Sequence, residues 1–196
     1  MAVDGGLATC RARRLRPDVF VGDLDSTRRA PAGIPSVIFP AAKDFSDFAG
    51  ALGELVRLGV DLVVIAGLVG GRLDHEWANV LEAGAMARRF SCVVAPSSRG
   101  LVVVTARTVK VATAENALVS VFALHGAARV TLAGTSWTLE RRRVSPGSLG
   151  LSNRSAGSLR LQVHSGVVAL ILPRTNRYRI PTLSRKESTS RPTRSR

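Results

Sequence analysis

All eight aspartates of this 196-residue chain lie at or before Asp74, and the residues after it contain none. Four short polar segments hold most of them: Asp4-Gly5-Gly6, Gly22-Asp23-Leu24-Asp25-Ser26, Lys43-Asp44-Phe45-Ser46-Asp47 and Gly70-Gly71-Arg72-Leu73-Asp74-His75. Asn79 follows the last of these by about one helical turn. Asp23 and Asp25 are two apart, so in an extended chain both carboxylates project to one side. Two carboxylates with phosphate oxygens are a common way to hold Mg²⁺, which keeps some of its waters. Asp47, where a helix should open, offers a further ligand. Glycines 5, 6, 70 and 71 permit close backbone approach and positive φ, which suits a phosphate cradle. Arg72 adds a planar guanidinium for phosphate oxygens. Each segment alone also has a structural reading, such as a strand-end turn at GDLDS or a helix cap at Asp47. Their concentration in one part of the chain points to metal-bound phosphate chemistry.

Other chemistries lack their residues. There is no G-x-x-x-x-G-K-[ST] phosphate loop and no G-x-G-x-x-G dinucleotide fingerprint. His75, His125 and His164 are too scattered for a zinc site, and no Ser-His-Asp arrangement can be argued.

These segments need elements to place them. Residues 18–22, 36–39, 61–66 and 92–95 are short, β-branched and nearly unbroken apolar runs, as expected of strands covered on both faces. Phe45, Phe48, Ala49, Leu52, Leu55 and Val56 recur at helical spacing between the second and third runs. Leu73, Trp77, Val80 and Leu81 predict another helix after the Gly70-Gly71 turn. Alternating strands and helices imply an α/β layer with a mostly parallel sheet. In such sheets ligands bind at the carboxyl ends of the strands, where the four polar segments fall. After about residue 100, β-type runs at 101–105, 117–124, 129–132, 136–139, 159–164 and 167–172 follow one another, punctuated by glycines. That pattern predicts an antiparallel β-sandwich. The expected organisation is an α/β catalytic domain at 1–98, a β-sandwich at 99–173 and a basic tail at 174–196.

The net charge is +14, and the tail supplies half of it: eight Lys or Arg against one acid, Glu187. With few apolar residues it is expected to be disordered and to bind nucleic acid only non-specifically. Aromatic residues make up 5% of the chain, which supplies a base-stacking platform poorly. No run reaches the about 18 apolar residues a membrane helix needs, and the first residues show no secretory signal. Cys10 and Cys92 have no metal-type spacing and are expected to be free thiols, consistent with a cytoplasmic location.

The ordered set DGG, VGDLDS, KDFSDF and GGRLDH-x-x-x-N resembles the catalytic domain of the thiamin pyrophosphokinases. Gly134, Trp137 and Leu139, and then Ser152-Asn153, resemble that family's thiamin-side segments. The family's further strand and turn before DGG has no counterpart ahead of Asp4. The resemblance implies an α/β domain followed by a β-sandwich, a homodimer with active sites at the subunit interface, and diphosphate transfer from ATP to thiamin, leaving AMP. It implies that Asp4, Asp23, Asp25 and Asp47 hold Mg²⁺ and the nucleotide phosphates, with Gly5 and Ser26 beside them. Ser46 stands where the family usually has Thr. Arg72, Asp74, His75 and Asn79 would line the nucleotide and transfer site. Trp137 would stack on thiamin, and Ser152 and Asn153 would contact its pyrimidine. The proton acceptor is open between Asp74 and Asp44. Rival readings are a related pterin diphosphokinase, a nucleic-acid binder and a truncated, inactive thiamin-binding protein.

Overall fold

The computed structural model describes residues 1–26 and 28–173, together with the backbone of 182–183. Two sheets organise them. In the first, β1 (Ala2–Val3), β2 (Phe20–Gly22) and β3 (Ser36–Ile38) lie side by side and parallel, in the order β1-β2-β3. A short helix, α1 (Gly6–Ala12), connects β1 to β2. Neither β1 nor α1 has a periodic apolar signal long enough to read from sequence. Their small core is Ala2, Leu7 and Phe20.

The second sheet begins with the parallel pair β4 (Leu62–Val64) and β5 (Cys92–Ser97) and then turns antiparallel. Its order is β10-β7-β9-β6-β5-β4, with β8 (Leu139–Val144) off β7. Here β6 is Gly100–Thr105, β7 is Val109–Thr135, β9 is Asn153–Pro173 and β10 is Thr182–Leu183. The molecule is thus an α/β structure with a parallel sheet and a larger, mostly antiparallel one. The β5–β6 hairpin pairs Ser97 with Gly100, so hydrogen bonding runs unbroken through the place where the sequence changes texture. The rest of the tail at 174–196, expected to be disordered, lies outside the described residues.

The unbroken apolar runs have a direct cause. Along β5, β6 and β9, alternate side chains enter two different cores. Cys92, Val94, Leu101, Val103, Val168 and Leu170 face the interior that β7 and β9 wrap. Val93, Ala95, Val102, Val104, Val167 and Ala169 face the helices. A strand buried on both sides has no polar face to alternate with. β7 and β9 are long and curved, pairing with each other in successive stretches interrupted by register shifts. Gly134 (φ +77°) permits one close pass, since a Cβ there would lie 2.1 Å from the Ser158 carbonyl oxygen. The strand expected at 136–139 is instead a turn, with β8 starting only at Leu139.

Two longer helices follow the small sheet: α2 (Asp47–Arg57) links β3 to β4, and α3 (Leu73–Met86) links β4 to β5 within the large sheet. α2 opens at Ser46, whose hydroxyl accepts the Ala49 N–H at 3.0 Å, and it ends at Gly59 (φ +70°). Leu52 packs in the helix-side core with Phe48, Leu55 and Val56 beside it. α3 corrects the expected apolar face. Leu73 and Trp77 are 78% and 69% exposed, whereas Glu76 and Ala83 are buried and Val80 packs on the core. The inward stripe therefore includes a carboxylate, which a periodicity argument assigns to solvent.

Candidate active site

Three carboxylates converge at the carboxyl ends of the parallel strands. Asp4 follows β1, Asp23 follows β2 and Asp47 opens α2 after β3. Each offers an oxygen, and these oxygens all lie within 4.8 Å of one another. Backbone geometry brings them there. Asp4 itself, at φ +43°, takes the left-handed conformation, while Gly5 is right-handed at φ −53°. Of the glycines read as conformationally special, Gly70 has positive φ (+115°), and Gly5, Gly6 and Gly71 do not. A Cβ at any of these four would still meet nothing within 4 Å, so the Cα positions there face open space.

Asp25 does not join the cluster. Leu24 adopts φ +72°, so the chain turns after Asp23 instead of extending. The Asp25 N–H donates to Asp23 Oδ1 at 3.1 Å, and the exposed Asp25 carboxylate accepts from Ser26 Oγ at 2.9 Å. The shared-face expectation assumed extended backbone, and this turn removes that condition. Ser26 Oγ also lies 3.1 Å from Asp4 Oδ2, so Ser26 links the first two segments.

Lys43 supplies the positive charge. Its ammonium donates to Asp23 Oδ2 at 2.5 Å and lies 3.4 Å from Asp47 Oδ1, with 8% of the side chain exposed. The Lys43 hydrogen bond holds the Asp23 carboxyl below its usual range, helped by the Asp25 N–H. The same partner raises the Lys43 ammonium. Asp47 moves the other way, raised by burial first and by the Asp23 charge second. Sequence reasoning quoted Lys43 in its motif but gave it no role, because a lysine beside aspartates reads as a surface ion pair. Its burial is what distinguishes it.

The donor set suits a hard divalent cation. It is all carboxylate, and two buried oxygens, Asp4 Oδ1 and Asp47 Oδ1, have no hydrogen-bond partner. Lys43 approaches the latter as an ionic neighbour at 3.4 Å.

The remaining site residues fall in two further groups. On α3, Arg72 Nη2 and Nε reach Asp74 Oδ2 and Oδ1 at 2.6 and 3.2 Å, and the His75 N–H donates to Asp74 at 3.0 Å. The Arg72 guanidinium therefore pushes the Asp74 carboxyl below its usual range. Arg72, Leu73, Asp74 and the exposed Trp77 line an open concavity. Asn79 points its amide at the Leu68 carbonyl at 3.5 Å. Ser46 is already engaged as the α2 cap and donates to Glu82 Oε2 at 2.7 Å, tying the acidic cluster to α3. Asp44 is exposed beside Lys43.

The third group lies on the large sheet. Trp137 sits in the β7–β8 turn with 64% exposure, which excludes a core role. Asn153, 5% exposed, accepts the Trp137 N–H at 3.1 Å and donates to the Trp137 carbonyl at 2.7 Å. Its amide thus holds the tryptophan's backbone, where sequence reasoning gave it a direct ligand contact. Exposed Ser152 takes φ +59°, its N–H donating to Ser120 Oγ at 3.1 Å. No described hydrogen bond or ion pair connects this group to the acidic cluster.

With this geometry in place, comparisons with known proteins are specific. Residues 1–92 match the family model of the thiamin pyrophosphokinase catalytic domain. No curated protein sequence matches the chain. Among solved structures, the chain is similar to thiamine pyrophosphokinase from Bacillus subtilis at 21% identity and TM-score 0.69, covering 87% of this chain and 85% of that one. The Geobacillus thermodenitrificans enzyme gives 24% identity and TM-score 0.68, with coverage of 87% and 84%. The Candida albicans enzyme gives 14% identity and TM-score 0.65, with coverage of 87% and 81%. At such identities the structural likeness speaks to the fold across both sheets, and the family assignment comes from the catalytic-domain match. The three converging carboxylates thus lie inside the segment, residues 1–92, that matches the thiamin pyrophosphokinase catalytic-domain model.

Proposed function

We propose that the protein is a thiamin pyrophosphokinase that moves the terminal diphosphate of ATP onto the hydroxyl of thiamin, releasing AMP. The observation that carries this reading is the set of three carboxylates with two unpartnered buried oxygens, inside a segment of the matching catalytic-domain family. Asp4, Asp23 and Asp47 would hold Mg²⁺, which when bound neutralises charge on the bridging phosphate oxygens. Asp25 and Ser26 would approach the same phosphates from the turn after β2. Lys43 and Arg72 bring further positive charge, and positioning with charge neutralisation is most of what phosphoryl-type transfer requires. His75 and Asn79 would complete the nucleotide side.

Thiamin would bind at Trp137, whose exposed indole offers an aromatic face to the cationic thiazolium. Asn153 would keep that turn in place and Ser152 would flank it. The hydroxyl must lose a proton as it attacks the β-phosphorus. Of the two candidate acceptors, Asp74 is paired with Arg72 and held below the ordinary carboxylate range, which makes it the weaker base. Asp44 carries no such partner in the structure. The tryptophan turn and the carboxylates lie on different sheets, which favours a homodimer in which one protomer completes the other's site.

The test is production of thiamin diphosphate and AMP from thiamin and Mg·ATP, with a chelator control and 6-hydroxymethyl pterin as the competing alcohol. Equal or better turnover of the pterin would replace the substrate assignment. Metal-independent transfer would remove the carboxylate site.

A further inference from the structure

The Gly70–Gly71 loop already holds an anion. The Gly70 N–H donates to Glu76 Oε1 at 2.6 Å and holds the Glu76 carboxyl below its usual range. Glu76 lies on the inner side of α3 and is 8% exposed. Its charge is balanced from another element. Arg99 Nη1 and Nη2 reach Oε2 and Oε1 at 2.9 and 3.1 Å, in a fork that fixes the carboxylate plane. Arg99 is itself set in the β5–β6 turn, where its N–H donates to Ser97 Oγ at 3.1 Å. Two adjacent glycines would otherwise leave this loop with large conformational freedom. The Gly70 amide, which a glycine-rich loop could turn toward phosphate, is therefore spent internally, and Arg72 follows the two glycines directly in the chain.

We propose that Glu76 is a positioning residue: with Arg99 it is the resident anion of the Gly70–Gly71 loop, and by locking that loop it aims Arg72 at the nucleotide phosphates. The assignment rests on the diphosphokinase reading for its ligand and on geometry alone for the lock. It has two consequences. The Gly70 amide does not bind phosphate, which is met by side chains. The state of the nucleotide loop is also tied to the β5–β6 hairpin, and hence to the large sheet.

The test uses the full chain with Glu76→Gln, Glu76→Ala and Arg99→Met. Amide hydrogen exchange of Gly70, read without nucleotide, should show protection in the parent and faster exchange in all three variants. Calorimetry with Mg²⁺ and α,β-methylene-ATP should then show about tenfold weaker binding for Glu76→Gln, as expected for loss of a charge-assisted hydrogen-bond set. Thiamin affinity should stay unchanged, and Arg99→Met should add little to Glu76→Gln, since both act through one carboxylate. Tighter nucleotide binding by Glu76→Gln would overturn the proposal, because Glu76 would then be a competitor of phosphate for the loop amides. A lower melting temperature with unchanged exchange at Gly70 and unchanged nucleotide affinity would also overturn it, leaving only a structural ion pair. If the parent fails to bind the nucleotide analogue, the diphosphokinase reading falls and takes the aiming of Arg72 with it. The exchange data still decide the lock.

Discussion

The two sheets of this protein divide its labour. In the small sheet each strand has two or three residues, and its core is Ala2, Leu7 and Phe20. In the large sheet β7 and β9 run for 27 and 21 residues and enclose an apolar core. The small sheet is short because each strand delivers its chain at once to a polar turn, and those turns carry Asp4 and Asp23. On the large sheet the proposed ligand contact is a surface turn, that of Trp137. Stability and chemistry are thus concentrated in different places, and variants in the two regions should fail in different ways.

The sharpest contrast is activity without unfolding. Asp23→Asn should lower diphosphate transfer by about 10²–10³-fold, the scale of losing one preorganised electrostatic contact. Asp25→Asn, outside the cluster, should cost visibly less in initial-rate assays of AMP release. Equal losses would mean that the turn at Leu24 rearranges when substrate binds.

The opposite pattern belongs to the large sheet. Leu170 is fully buried in the core of the large sheet. Leu170→Ala should cost about 2–5 kcal/mol. That should appear as a clear fall in urea midpoint, with turnover per folded molecule preserved. A loss of turnover at unchanged midpoint would blur the division.

Trp137→Ala tests the exception, the proposed thiamin contact on the stable sheet. Because the side chain is mostly exposed, the melting temperature should hardly change. The thiamin KM should rise by about tenfold, in line with a partly desolvated cation–π contact of up to ~2 kcal/mol, while the ATP KM stays put.

The smallest effect concerns the acidic cluster without metal. Burial and the Asp23 charge raise the Asp47 carboxyl in the folded protein. Its native state then binds the proton more tightly than the unfolded chain does. Stability is therefore lost as pH rises from the unfolded aspartate range through the raised folded value. Asp47→Asn should raise the metal-free melting temperature at neutral pH, and the gain should vanish in acid below the ordinary aspartate range. Asp23, lowered by Lys43, has the opposite sign: its stabilising contribution is present at neutral pH and disappears as pH falls through its folded value. Divalent metal should stabilise the parent more than Asp47→Asn.

Several features were legible because they are local. The double burial of β5, β6 and β9 writes itself as unbroken apolar runs. The helical spacing of Phe48, Leu52, Leu55 and Val56 marks α2, and the change from helices to successive β runs marks the large sheet. The aspartate segments could be ordered along the chain and assigned to strand ends. Other features depend on contacts between distant segments. Glu76 looks like a surface charge until Arg99, 23 residues later, meets it. Asn153 looks like a ligand contact until its amide is seen bonding the Trp137 backbone across 16 residues. Leu73 and Trp77 fit a helical stripe, and only the packing of α3 shows that the stripe turns at Glu76, Val80 and Ala83.

What the sequence determined by itself is the inventory: which groups could bind metal and phosphate, and the elements whose periodicity is set by burial. What the tertiary structure alone decided is which of these groups meet. Asp23 and Asp25 are close in the chain, yet the left-handed turn at Leu24 leaves Asp25 outside, while the end of β1 and the start of α2 bring Asp4 and Asp47 to Asp23. Lys43 among the carboxylates was a matter of packing too. Convergence of charges is set by the backbone path over tens of residues, and the energy of placing them depends on burial, which no single segment carries in its own composition.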